Sequence, residues 1–160
     1  MPRHKKLLLE AFKPYFKEAG FTKKSATWHR ANDECIQVFN VQTSDWSEQY
    51  LFNAGIYLKS LGSEIHPVEY KCHIRTRIPA RNHHDTETHR KIHEISDFSE
   101  KPEIEESQVL ELASLVFPLA LDWLERFSTL GNIKRELDLT DRPNFMVQGE
   151  VWKLLGILKK

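Results

Sequence analysis

The sequence predicts one α+β domain over residues 1–160, an antiparallel meander sheet of about four strands packed against an N-terminal helix and a long helix in the C-terminal half. Three observations predict it. Apolar residues recur at helical spacing near both ends of the chain. Four segments rich in β-branched and aromatic residues follow one another between them, joined by short polar connections. No internal repeat or low-complexity linker divides the chain.

The elements follow in order. In "HKKLLLEAFKPYFKEA" (4–19), Leu8, Ala11, Phe12, Tyr15 and Phe16 line one helical face and lysines the other. Pro14 inside this run lacks a backbone donor and is expected to kink or end the helix. Gly20 reads as its C-terminal cap, with Phe21 folding back onto it. "ATWHR" (26–30), "ECIQVFNVQ" (34–42) and "QYLFNAGIYLKSL" (49–61) are predicted strands, with "SDWSE" (44–48) a hairpin connection. In the third strand Phe52, Ala54, Ile56 and Leu58 form the apolar face, opposite Asn53, Gly55 and Tyr57. "EYKCHIRTRI" (69–78) alternates as a fourth strand, Tyr70, Cys72, Ile74, Thr76 and Ile78 on one side and Lys71, His73, Arg75 and Arg77 on the other. "SQVLELASLVFPLALDWLERF" (107–127) is the core helix, with Pro118 as a kink. "STLGNIKRELD" (128–138) is a short helix with Ser128 as N-cap, and "NFMVQGEVWKLLGILKK" (144–160) a last amphipathic helix.

Composition bounds the function classes. Formal net charge is +0, which does not indicate a nucleic-acid binder driven by bulk charge, and charged residues at 29% and hydrophobic residues at 40% are those of a soluble globular chain. The charge is uneven: residues 1–30 carry eight Lys/Arg against two Glu, and residues 85–111 nine Asp/Glu against three Lys/Arg. Cys35 and Cys72 form no CxxC pair and read as buried, reduced thiols. The N-terminal apolar run is only three leucines, too short for a signal segment, so a cytoplasmic location without membrane contact is expected.

Four segments carry a resemblance. "GFTKKSATWHR", "VFNVQTSDWSEQYLFNAGIYL", "YKCHIRTRI" and "LDWLERFSTLGNIKREL" follow one another in an order that resembles the bacterial family of the domain of unknown function 4304, over roughly residues 1–137. The resemblance implies an α+β fold and a bacterial source, and assigns no activity. A more distant similarity runs to small immunity and antitoxin proteins.

The most conspicuous chemistry lies in "RNHHDTETHRKIH" (81–93), which holds four of the eight histidines. On a helix, His89 and His93 would share a face and could chelate zinc, with His84, Asp85 and Glu87 as third-ligand candidates. Between them stands Arg-Lys-Ile, without the glutamate base of an HExxH site. The stretch offers no apolar wall to hold ligand geometry, so a solvated surface segment is the preferred reading. The polar sheet positions Asn40, Gln42, Asn53, Arg75 and Arg77 suit an anion or an acidic partner surface, or simply a wet sheet face. The acidic tract could steer a basic partner, and it also places acids where a helix N-terminus favours them. No GxSxG, P-loop or GxGxxG occurs, and Cys72 and His73, as neighbours in a strand, are expected on opposite faces.

The reading is a non-enzymatic protein-binding domain of the immunity or antitoxin type, needing no cofactor and neutralising a cognate toxin. The partner-binding candidates are Trp46, Asn53, Arg75, Arg77, Glu103, Glu105 and Glu106. The alternative is a metal-dependent hydrolase or nucleic-acid-processing enzyme using the His83–His93 cluster, with His84, His89 and His93 as ligands and no metal otherwise expected.

Overall fold

The N-terminal amphipathic run folds as α1 (Arg3–Glu18), with Leu8, Leu9, Ala11, Phe12 and Phe16 buried and Pro14 carried inside the helix rather than ending it. It closes at Gly20 (φ +87°), where the Phe21 and Gly20 amides donate to the Phe16 and Lys17 carbonyls at 2.9 and 3.1 Å. That is the paired hydrogen bonding of a Schellman cap, and only glycine takes this backbone cheaply. The Phe21 ring meets Phe16 edge-on at 5.1 Å, as its position after the cap predicts. The computed structural model describes residues 3–79, 86–99 and 105–160.

The strands form one six-stranded antiparallel sheet in chain order: β1 (Thr22–Lys24), β2 (Thr27–Ala31), β3 (Cys35–Thr43), β4 (Tyr50–Leu58), β5 (Ile74–Ile78) and β6 (Met146–Val147). The meander is as predicted. The two additional strands are short edges: polar "TKK", and a dipeptide that pairs only with Ile74 and Arg75. Neither carries enough alternation to be legible in sequence.

One sheet face carries the main core. Phe12 and Phe16 of α1 sit on Trp28, Phe39 and Phe52, with ring centroids 4.6–6.1 Å apart. Rings of this size in offset and edge contact bury most of the apolar area that holds helix to sheet. Beside α1 lies α3 (Glu106–Arg126), which buries Val109, Leu112, Ala113, Val116, Ala120, Trp123 and Leu124 and keeps Pro118 within the helix. By length and composition alone α3 could cross a membrane; here that apolar stripe faces α1 and the sheet. Gln37, buried on β3, donates to the Leu124 carbonyl at 2.8 Å and accepts from Arg30 at 2.6 Å. This bond fixes the C-terminal end of α3 at the start of β3, and an ion pair from Glu111 to Lys91 ties its N-terminal part to the chain that leads into Ser96–Phe98 beside Glu48 and Tyr50, toward the β3–β4 hairpin.

Several boundaries differ from the sequence expectation. The β5 strand starts at Ile74, because Glu69–Lys71 is a tight 3-10 turn. Tyr70 and Cys72 therefore do not share the face of Ile74, Thr76 and Ile78: Tyr70 is exposed, and Cys72 packs with Ile36, Val38 and Tyr57 on the opposite face. The N-cap of α4 (Leu130–Leu139) is Thr129, whose side chain accepts from the Asn132 amide, and not Ser128. The last helix, α5 (Gly149–Leu155), is shorter than predicted because Met146 and Val147 join the sheet. The described part of the histidine-bearing stretch lies in α2 (Thr86–Ile95), an amphipathic surface helix with Glu87, Arg90, Lys91 and His93 exposed and Ile92 buried. His83 and His84 lie outside the described residues.

Candidate functional site

The second face of the sheet is divided. Over one half folds the connection from Lys59 to His73, so that face is covered too, and Gly55 and Tyr57, opposite the apolar face of β4, are buried. The close seat requires a glycine, since a Cβ on Gly55 would come within 2.8 Å of Cys72 Cβ and Sγ. Tyr57 ties the connection down by accepting at Oη from the Glu64 amide (3.1 Å). His73 packs on the Tyr57 ring at 4.6 Å and accepts at Nδ1 from the Leu58 amide at 2.9 Å. Cys72 and His73 are thus both beside Tyr57, against the expectation of opposite faces. They still form no catalytic pair, because each is committed elsewhere and burial pushes the Cys72 thiol far up. Burial likewise raises the Cys35 thiol to about 12, so neither cysteine carries a nucleophilic thiolate near neutral pH. His29, under the same cover, donates from Nε2 to the Pro67 carbonyl at 2.8 Å.

The other half of that face carries a polar row. Thr27, Asn40, Asn53 and Arg77 stand directly opposite one another across β2, β3, β4 and β5. Arg77 Nε donates to Asn53 Oδ1 (3.4 Å), the Asn53 amide to Asn40 Oδ1 (3.2 Å) and the Asn40 amide to Thr27 Oγ1 (3.3 Å). Asn53 also donates to Gln42 at 2.9 Å. Cross-strand register lets neutral amides relay one hydrogen-bond direction over four strands, which fixes the arginine at its end. Among the described residues no carboxylate forms an ion pair with Arg77, and the residue is exposed.

Arg75, predicted to work beside Arg77, has a different task. Its guanidinium grips both carboxylate oxygens of Glu69 at 2.9 and 3.5 Å and touches the Tyr70 carbonyl and Met146 sulfur. It pins the covering connection and β6 to β5. Trp46, in the β3–β4 hairpin, is 95% exposed, as predicted for a contact residue. Glu105 and Glu106 are exposed at the N-terminal end of α3, toward the same hairpin end, and Glu103 lies outside the described residues.

Between the ends of β4 and β5 and the flank of α2 opens a cleft of about 690 Å³. It exists because β5 stops pairing with β4 at Phe52, and Ser96–Phe98 takes over beyond it, bonding to Glu48 and Tyr50. His89 and His93 both line it, confirming the shared helical face. The apolar wall that the sequence did not reveal is Ile92 with Ile78 and Pro79. The missed signal is the spacing of Thr88, Ile92 and Ile95, a helical stripe inside a polar run. Gln49 approaches His93 Nδ1 at 3.4 Å. Among the described residues no group of three or more histidine, cysteine, aspartate or glutamate side chains could hold a metal ion.

The comparison with protein families meets this geometry directly. The model of a domain of unknown function, DUF4304, matches residues 12–111, more than half of the chain. The chain belongs to that family. The DUF4304 region runs from the middle of α1 into α3 and contains Trp46, the polar row, the covering connection and the cleft, while α4, β6 and α5 lie beyond it. Neither the curated proteins nor the solved structures yield a match.

Proposed function

We propose that this DUF4304 chain is a protein-binding domain with no chemical step of its own, docking through the hairpin end of its sheet. The observation that carries the reading is Trp46, a full indole held 95% exposed on a hairpin tip. Tryptophan and arginine dominate the few residues that supply most of the binding energy at protein interfaces. Trp46 and the pre-oriented Arg77 occupy the same end of the sheet, with Glu105 and Glu106 of α3 toward it. Aromatic anchor, arginine and acidic rim are the mixture that gives affinity and partner choice together. In this reading the biological class is a cytoplasmic bacterial immunity or antitoxin protein that neutralises a toxin one to one.

The test is capture of partners from the native host on the tagged chain, with Trp46→Ala, Arg77→Ala and the double charge reversal Glu105→Lys/Glu106→Lys in parallel. The expected result is one stoichiometric protein, retained with EDTA and depleted at least about tenfold by Trp46→Ala. A partner held equally by all variants would remove this end of the molecule from the account. One specific observation favours a second reading, a metal-dependent hydrolase: His89 and His93 share a cleft wall. Elemental analysis after purification without a metal column decides it, because a catalytic zinc would approach one per chain.

A further inference from the structure

The cleft beside α2 has a chemistry of its own, which shares Arg77 with the protein contact proposed above but needs neither Trp46 nor the acidic end of α3. Its floor is Tyr50, Leu51 and Phe52, and its apolar walls are Ile78, Pro79 and Ile92. The polar side chains that reach it among the described residues include Arg77, Arg90, His89, His93 and Gln49, with no aspartate or glutamate. The two arginines are not equivalent. Arg90 is held between Glu87 and Glu94 on its own helix, so its charge is compensated there. Arg77 rests on the neutral amide of Asn53, and the relay through Asn40 to Thr27 holds it in place without cancelling its charge. A guanidinium so oriented at the rim of an apolar-walled cleft is a receptor for an oxyanion, to which arginine can donate two parallel hydrogen bonds.

Size sets the rest of the ligand. A volume of about 690 Å³ falls within the range of small-molecule sites, well beyond what a bare inorganic anion fills. The geometry points to a small molecule with one carboxylate or phosphate head on a ring-sized apolar body. The head sits on Arg77, within reach of the imidazoles of His89 and His93. The body lies against Ile78, Pro79 and Ile92.

Titrations followed by the histidine ring signals in NMR test this, with His89→Gln and His93→Gln identifying the two resonances. The probes are phenyl phosphate, benzoate, inorganic phosphate and benzyl alcohol. Saturable shifts of His89 and His93 are expected with phenyl phosphate or benzoate, and whichever of the two binds tighter identifies the head group. Inorganic phosphate and benzyl alcohol should each bind at least about tenfold more weakly, since each lacks one half of the recognition. Arg77→Gln should weaken the aryl anion about tenfold with an unchanged melting temperature, because the residue is exposed. No saturable shift with either aryl anion up to about 10 mM, or equal binding by the Arg77→Gln protein, would overturn the assignment. Inorganic phosphate binding as tightly as phenyl phosphate would overturn the apolar half of it.

Discussion

The two halves of the sheet's second face are built from the same strands and solve opposite problems. Under the connection from Lys59 to His73 the face is dry: Ile36, Val38, Tyr57 and Cys72 pack together, and each buried histidine spends one ring nitrogen on one backbone group. A few residues along the same strands, Thr27, Asn40, Asn53 and Arg77 bond side chain to side chain and end at solvent. The first arrangement encloses its polar groups and leaves nothing to offer a ligand. The second satisfies all but the last residue, so the row terminates in an oriented cation. The half the cover does not reach is the one with a group left to offer.

The largest way to break the contrast is to remove the cover. Gly55→Val places branched carbons where a single Cβ already lies 2.8 Å from Cys72, on a central strand that cannot yield. The expected loss is about 3 kcal/mol in urea unfolding, the upper end for overpacking in a tight core. Gly131→Ala, in α4 with nothing within 4 Å of the added carbon, is the control and should stabilise by about 0.5–1 kcal/mol. If Gly55→Val unfolds at the same urea concentration as the native chain, the cover is not seated on β4 as described.

How much of this was legible in the sequence divides along the same line. The strands β2, β3 and β4 announce themselves because alternation and β-branched residues encode burial on one side, and the aromatic pattern of α1 encodes the partner of that side. The cover does not, because it is irregular chain whose place depends on contacts far away in sequence, such as Gly55 with Cys72. Reading "EYKCHIRTRI" as one strand extended a true alternation past its start, and it put Cys72 on the wrong face by counting through a 3-10 turn. Asn53 and Arg77 were both singled out, yet their union is a matter of register, which pairs residues from different segments and leaves no local signature. The cleft was missed for a related reason. Its wall joins Ile92 to Ile78 and Pro79 from another segment, and the stripe of Thr88, Ile92 and Ile95 that marks the helix is short and sparse within a polar run.

A smaller effect is expected from breaking the row itself. Asn53 is nearly inaccessible and bonds to Asn40, Gln42 and Arg77. Asn53→Ala should cost about 1–2 kcal/mol, because Gln42 and Arg77 can turn to water while half-buried Asn40 loses its donor and only partly replaces it. The same substitution should weaken any anion held by Arg77, whose Nε then has no acceptor to orient it. Stability lost with anion affinity unchanged would mean that the row is architecture alone and that Arg77 orients itself.

The smallest effect sharpens the comparison from the covered side, through acid. Burial lowers the proton affinity of both His29 and His73 below the ordinary value of 6.5, with His66 and Lys24 adding to the effect at His29 and Glu150 opposing it at His73. At His29 the Pro67 carbonyl also opposes the shift, but it is outweighed. The geometry agrees: His73 Nδ1 must stay unprotonated to accept from the Leu58 amide, and His29 Nδ1 is buried with no partner among the described residues. In the unfolded chain both rings take up protons as the pH falls through about 6.5, while in the fold they resist until a lower pH. The unfolded state therefore binds more protons in that window, and stability declines as pH falls from about 6.5 toward the folded values, then levels. Above about pH 7.5 neither ring contributes a slope. Urea midpoints measured across this range should fall on the acid side, and His29→Gln should flatten part of the decline. The exposed half of the face predicts no such slope, so an Arg77→Gln protein should retain all of it. An acid decline that His29→Gln leaves unaltered would place its origin outside the covered half.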